Sequence, residues 1–184
     1  MSGKADDTGR EQGLVRRDPE EIWSEGNVDV VDEIYAEDFV LHDPSSPDGT
    51  RGREGYREYA ATYRDAFPDA EYAVEELVAE RDAVAMRYTA RGTHEGELMG
   101  IEPTGEEVTV TGMELYHVDD GKITEMWTYY DALGVLRQLG VVPSADELVE
   151  QGGDRPTPPS GPRASRRGDA FTGRRSAVAR GRRT

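Results

Sequence analysis

Asp131 is a carboxylate at the end of an apolar stretch, "KITEMWTYYD", where it could act as an acid or a base. One carboxylate in an apolar pocket can take a proton from carbon beside a carbonyl and later return a proton to an alkoxide. For both steps its pKa must rise from about 3.9 toward neutrality, and burial would raise it. The following "ALGVLRQLG" predicts a short helix, so Asp131 could equally be the N-cap of that helix. The residues leave both roles open, and the two are compatible.

His117 is the second candidate, and the turn between the strands predicted for "EVTVTGMELYHV" and "KITEMWTYY" decides whether it meets Asp131. A two-residue loop, Asp120-Gly121, puts the two side chains on opposite faces. A three-residue loop from Asp119 to Gly121, with a bulge at the glycine, puts them on one face. The residues that then share this face are Met113, Leu115, His117, Ile123, Trp127, Tyr129 and Asp131.

The opposite face of these strands is also apolar. It carries Tyr116, Met126 and Tyr130 with several valines and threonines. An apolar sheet face seeks a partner, so the pattern suggests homo-oligomerisation through the sheet.

The histidines show no metal-binding pattern. His42, His94 and His117 lie far apart, and neither a His-x-x-x-His motif nor an acid–histidine pair on one predicted helix is found. We expect no metal. His94, in "GTHEG", is expected to order a glycine-rich loop, whereas His42 begins the irregular "HDP" loop.

The elements that position these residues are predicted to be helices before Pro68 and strands after it. Before it, helical spacing is found from about residue 10 to 24, after Asn27, and in "REGYREYAATYRDAF". After it, "AEYAVEELVAE" and "DAVAMRYTARGTH" alternate as strands around a tight turn at Glu80–Asp82. Helices followed by a strand meander predict an α+β fold.

Charge and composition limit the function classes. Residues 154–184 hold nine arginines and two acids, whereas residues 1–153 hold 13 basic and 36 acidic residues, with only two lysines in the chain. Such an acidic body favours a protein adapted to strong salt, the alternative being an ordinary acidic protein. The negative charge of residues 1–153 makes this part of the chain a poor candidate for nucleic-acid binding. The absence of cysteine excludes disulfides and thiolate metal sites.

The ends of the chain are polar. We expect a flexible N-terminus over 1–12, a folded domain over 13–150, and a disordered tail rich in Arg, Pro and Gly over 151–184. Neither an apolar run long enough to cross a membrane nor a signal-peptide pattern is found, so the expected location is cytoplasmic.

Several stretches together resemble the SnoaL-like polyketide cyclases, or ester cyclase group, of the superfamily that includes nuclear transport factor 2. They run in order from about Ile22 to Gly140: "YAEDFVLHDP", "GREGYREY", "YRDAFPDA", "GTHEGELMGIEPTG" and "DGKITEMWTYYDALGVLRQLG". The resemblance implies a cone, with N-terminal helices packed against a curved, mostly antiparallel sheet.

The resemblance also implies an activity, although a fold by itself fixes none. Characterised cyclases of this family close a ring of a polyketide ester by intramolecular aldol condensation, without metal or cofactor. Their acid–base aspartate precedes the last helix, where Asp131 stands, and histidines resembling His42 and His117 line their pocket. We therefore expect Asp131 to be catalytic and a small hydrophobic or polyketide-like ligand to contact His42, His117, Trp127, Tyr129, Met113 and Leu115.

Two alternatives stay open. The same cone could hydrolyse, dehydrate or isomerise a small apolar molecule, or it could bind a ligand without catalysis.

Overall fold

The computed structural model describes residues 3–46, 49–143 and 146. The predicted tail over 151–184 lies outside this part of the chain. The described residues form five helical segments and one six-stranded sheet, which confirms the predicted α+β fold.

The helical segments come mostly before the sheet. They are α1 (Gly3–Arg17), a π-helical segment (Asp18–Ser24), α2 (Val30–Ile34), α3 (Gly52–Ala66) and, after the last strand, α4 (Ala132–Gln138). Pro19 stands at the start of the π-helical segment, as its fixed φ favours. Helix α1 begins at Gly3, whereas helical spacing in the sequence starts only near Arg10. The first turns of the helix are polar and show no apolar spacing, so the sequence did not reveal them. None of the described helices is long and apolar enough to cross a membrane.

The sheet is curved and does not close into a barrel. Its strands are β1 (Tyr35–His42), β2 (Thr50–Arg51), β3 (Glu71–Glu80), β4 (Ala83–Thr93), β5 (Glu107–Asp119) and β6 (Lys122–Tyr130), in the order β2-β1-β6-β5-β4-β3. β1 runs parallel to β6, and every other neighbouring pair is antiparallel. The long meander β3 to β6 matches the strands predicted after Pro68.

One face of the sheet, here called the inner face, is covered by the helices. Along β5 the residues with even numbers point to this face, and Tyr116 there is fully buried. Met86 on β4 and Met126 on β6 join it in the main core, with Ile22 and Phe39. The core therefore lies between the inner face and the N-terminal half of the chain.

The register between β5 and β6 combines two features that the sequence presented as alternatives. The turn has two residues, Asp120 and Gly121, both with positive φ (47° and 72°), as a type I′ hairpin requires. A bulge then follows, because Val118 pairs with Ile123 but His117 pairs with Glu125. The loop has two residues and not three, and the bulge puts Met113, Leu115 and His117 on one face with Trp127 and Tyr129.

Gly112 on β5 leaves room for the ring of Tyr88, its cross-strand partner on β4. A Cβ at position 112 would stand 2.5 Å from the Tyr88 hydroxyl and 2.6 Å from its ring. We expect Gly112→Ala to destabilise the fold by about 1–3 kcal/mol, because the buried Tyr88 ring must shift. Urea unfolding would measure this.

Thr111→Ala is the matched control, because Thr111 is exposed on the same strand. It should change the free energy of unfolding by less than about 0.5 kcal/mol. Equal stability of the Gly112 and Thr111 variants would show that the Tyr88 ring is not held in this place.

Candidate active site

A cavity lies between the inner face of the sheet, the π-helical segment, α3 and α4. Its walls are mostly aromatic and aliphatic, and its polar lining includes one carboxylate, Glu114. The lining side chains used below are Trp23, Tyr63, Tyr72, Tyr88, Glu114, Thr128 and Tyr130.

Trp23 anchors the aromatic wall. Its ring packs edge-on against Tyr59 and Tyr63, with centroids 6.0 and 6.1 Å away, and lies 5.4 Å from the ring of Tyr72. Tyr72 stacks in turn on Tyr88 at 5.3 Å. Aromatic pairs in these geometries hold each other in place, so the wall is largely preformed.

The mouth of the cavity is marked by lining residues that are also exposed. Ser45 follows β1, Arg91 lies on β4, and Met99, which is 58% exposed, lies in the loop after β4. A ligand would enter between these segments and meet Glu114 at depth, since only 7% of Glu114 is exposed.

Glu114 is held in the cavity by two hydroxyl groups. The Tyr116 hydroxyl donates to its Oε2, and the Thr128 hydroxyl donates to its Oε1 over 3.3 Å. Burial raises the pKa of Glu114 well above its ordinary value of 4.5, and the nearby Asp18 charge raises it further, while the two hydroxyl donors oppose the rise. A carboxyl group with these properties can act as a base or an acid near neutral pH.

Asp18 is a second carboxylate, which is 1% exposed and is not part of the cavity lining. Its Oδ1 accepts hydrogen bonds from Tyr35 at 2.8 Å and from Tyr56 at 2.6 Å, and its Oδ2 lies 3.2 Å from the Tyr116 hydroxyl. Burial raises the pKa of Asp18, and its hydroxyl partners oppose the rise.

Asp131 lies at the N-terminus of α4 and caps it. Its Oδ1 accepts a hydrogen bond of 2.8 Å from the Gly134 backbone N–H, and the residue is exposed. The capping alternative is therefore the one that the structure shows. Asp131 does not line the cavity, although its neighbour Ala132 does.

His42, His117 and Trp127 do come together, but on the outer face of the sheet. The His42 ring stacks on Trp127 with centroids 4.6 Å apart, and the His117 ring meets Trp127 edge-on at 5.4 Å. His42 Nε2 also lies 2.7 Å from Oε1 of Glu125. The expectation that these residues line the pocket is corrected, because the sheet separates them from the cavity.

The same correction applies to Met113, Leu115 and Tyr129, which are exposed by 57%, 38% and 61% on the outer face. They share one face of β5 and β6, as predicted, but with other partners than the predicted loop implies, Met113 pairing with Tyr129 and Leu115 with Trp127. The helices cover the other face, which holds Tyr116. Homo-oligomerisation stays a prediction, and the face that the sequence offered for it is not free.

Sequence reasoning missed Glu114 and Asp18. Glu114 is an acid among apolar residues on alternate positions of β5, between Gly112 and Tyr116, and that interruption was the available signal. Asp18 stands between Arg17 and Pro19 at a helix junction, where an acid is commonplace. His94 is buried, and its Nδ1 accepts from the Thr104 backbone N–H at 3.2 Å, which confirms its loop-ordering role.

The described residues contain no group of three or more His, Asp or Glu side chains that could hold a metal ion.

Comparison with known proteins gives a consistent result. A family model for the SnoaL-like polyketide cyclases matches residues 13–139. An aklanonic acid methyl ester cyclase from Streptomyces sp. (strain C5) is 32% identical in an alignment of 154 residues that covers 79% of this chain and 88% of that protein.

Solved structures also match. A protein from Acidithiobacillus ferrooxidans, provisionally called a polyketide cyclase, is 34% identical with a TM-score of 0.65, over 71% of this chain and 94% of its own. AclR from Streptomyces galilaeus, provisionally called a hydroxylase, is 25% identical with a TM-score of 0.68, over 80% of this chain and 95% of its own.

Replacing Asp131 with alanine should destabilise the protein by about 1 kcal/mol, because the Gly134 N–H loses its acceptor. Asp131→Asn keeps an acceptor oxygen and should cost less. Urea unfolding of both variants measures the cap, and equal losses would argue against it.

Glu114→Gln should stabilise the protein increasingly as pH rises. Glu114 has a raised pKa in the folded state, so the unfolded chain ionises first, and the wild type loses stability from about pH 4.5 up to the folded-state pKa. The glutamine has no charge to desolvate. Its advantage should be small at pH 4 and reach on the order of 1 kcal/mol or more at pH 8.

Thermal unfolding of wild type and Glu114→Gln across this pH range provides the measurement. A constant difference in Tm would mean that Glu114 ionises equally easily in both states.

Proposed function

Because the chain belongs to the SnoaL-like polyketide cyclase family, we propose that it closes a ring of a polyketide ester by an intramolecular aldol reaction in its aromatic cavity. Glu114 is the acid–base residue in this proposal. The supporting observation is a carboxylate with a raised pKa inside an apolar cavity, bound by two hydroxyl donors.

Ring closure needs two proton transfers. The ionised Glu114 carboxylate takes a proton from the carbon between two carbonyl groups, which leaves an enolate. The enolate carbon attacks a ketone carbonyl of the same molecule, and the new alkoxide takes a proton from the Glu114 carboxyl. One residue with a pKa near neutrality serves both steps.

The tyrosines of the cavity can stabilise the charge that develops on oxygen. The hydroxyls of Tyr63 and Tyr130 lie 3.2 Å from each other, and both residues line the cavity. Burial raises the pKa of Tyr63 and of Tyr88 above 10, so both remain neutral donors at neutral pH. Neutral donors in an apolar cavity favour an enolate or alkoxide oxygen.

The walls suit a flat, conjugated substrate. Trp23, Tyr72 and Tyr88 present ring faces and edges, and Val108 and Val110 complete an apolar lining. Apolar walls around a few polar groups bind a hydrophobic molecule in a fixed orientation. Several curated relatives act on aklanonic acid methyl ester by name, so this ester is a reasonable first test substrate.

A second function is a different reaction of a small apolar molecule in the same cavity. AclR, which has the same fold and is provisionally called a hydroxylase, gives this alternative its support. Turnover of epoxides, enones or hydroxylation substrates without cyclisation of any β-keto ester would favour it. Ligand binding without turnover would indicate a binding protein.

The test compares two isosteric variants, Glu114→Gln and Asp131→Asn, with aklanonic acid methyl ester. Glu114→Gln should reduce kcat by about 10²- to 10⁴-fold, the usual contribution of a general acid–base group. Asp131→Asn should retain kcat within a few-fold, because Asp131 caps α4 outside the cavity.

The reverse outcome would move the catalytic role to Asp131, as the family resemblance first implied. Circular dichroism and Tm of both variants provide the control for folding.

A further inference from the structure

The hydroxyl of Tyr116 stands between the two buried carboxylates. It is hydrogen-bonded to Oε2 of Glu114 and lies 3.2 Å from Oδ2 of Asp18. Tyr116 is fully buried, and Asp18 and Glu114 are 1% and 7% exposed. The chain has thus placed two acids around one hydroxyl group in its core.

Counting protons shows which state satisfies these contacts. A tyrosine hydroxyl has one proton to donate and an oxygen that can accept. If both acids are ionised, the hydroxyl can satisfy only one of two facing anions. If both are protonated, the three groups carry three protons for two contacts, so one proton must turn to an acceptor outside them. With one proton on the pair, every contact is a hydrogen bond.

We propose that Asp18 and Glu114 hold one proton between them through the Tyr116 hydroxyl, so that Asp18 is a positioning residue that sets how strongly Glu114 holds its proton. The catalytic consequence rests on the function proposed above, but the shared proton does not.

Two arrangements of that proton are possible. In the first, the protonated Glu114 donates to Tyr116, and Tyr116 donates to Asp18. In the second, the protonated Asp18 donates to Tyr116, and Tyr116 donates to the ionised Glu114. They interconvert when Glu114 gives its proton to the Tyr116 oxygen as Tyr116 gives its own to Asp18. No other bond changes, and the pair keeps a single negative charge.

The groups around the pair leave these two acids to carry the charge. Asp18 faces Tyr35 from β1, Tyr56 from α3, and Tyr116 and Glu114 from β5. Tyr72 from β3, Tyr88 from β4 and Thr128 from β6 stand around Glu114. Burial raises the pKa of each of these tyrosines above its ordinary value of 10, so they stay neutral. The Arg64 guanidinium, at the cavity wall, donates to the backbone oxygens of Trp23, Ser24 and Pro68.

Asp18→Asn fixes one of the two arrangements. The amide oxygen can accept from Tyr35 and Tyr56, and the amide N–H₂ can donate to the Tyr116 oxygen, as a protonated Asp18 would. Tyr116 then donates to Glu114. The pKa of Glu114 should fall by on the order of one unit, because a buried neighbouring charge is removed.

Tyr116→Phe should act in the opposite direction. It removes a donor that stabilises the ionised Glu114 and leaves the Asp18 charge in place, so the pKa of Glu114 should rise. A residue that merely supports the fold would not produce opposite shifts in the two variants.

NMR titration of the side-chain carboxyl carbons measures this directly. In the wild type, the Asp18 and Glu114 resonances should both respond to two common titration steps, as in a coupled pair. Asp43→Asn is the matched control, because Asp43 is also buried and accepts from the Tyr59 hydroxyl, and it should leave the Glu114 titration unchanged. The proposal is overturned if Asp18 titrates in one step near its ordinary pKa, or if the two variants shift Glu114 in the same direction.

The pH dependence of kcat/KM separates this proposal from the proposed function. The acid limb should move to lower pH in Asp18→Asn and to higher pH in Tyr116→Phe, by on the order of one unit. If Glu114→Gln keeps full turnover while the NMR titration shows the coupled pair, the proposed function fails and the shared proton stands. If Glu114→Gln is inactive and the Asp18 and Glu114 titrations are uncoupled, the shared proton is ruled out and the proposed function stands.

Discussion

The burial of the Asp18 carboxylate is the constraint on which the rest of the structure depends. Hydroxyl groups from β1, α3 and β5, those of Tyr35, Tyr56 and Tyr116, all point to this one side chain. An ionised carboxylate taken out of water without partners would cost several kcal/mol. The π-helical segment, α3, β1 and β5 must therefore meet at one point, next to Glu114 of the cavity.

The sequence predicted the strands of the sheet better than it predicted which face of the sheet the helices cover. Alternating residues after Pro68 revealed the strands, and pairing fixed which residues share a face, such as Leu115 with Trp127. Alternation does not say which face the helices cover, because both faces of β5 and β6 carry large apolar side chains. Trp127 and Tyr129 were as plausible inside as Met126 and Tyr130, and the choice depended on packing against segments distant in the chain.

The candidate site was harder to predict for a related reason. In a chain with 38 acidic residues, an acid is expected at the surface, and nothing local distinguishes Asp18 from its neighbours. Asp131 was a candidate catalytic residue because it ends an apolar strand, but the same position, just before a helix, is where an N-cap is needed. Glu114 interrupts the apolar residues at alternate positions of β5, so it either destabilises the core or has a function there. The tertiary structure resolves this by enclosing it with Tyr116 and Thr128.

The chain contains two tryptophans, and the sheet stands between them. Trp23 belongs to the cavity wall, whereas Trp127 stacks on His42 on the outer face. The protein thus carries one tryptophan, which can be excited selectively over tyrosine, for each side of its sheet. With Trp127 replaced by phenylalanine, the remaining emission would report on what enters the cavity. With Trp23 replaced, it would report on what approaches the outer face, so the two events can be followed separately without a chemical label.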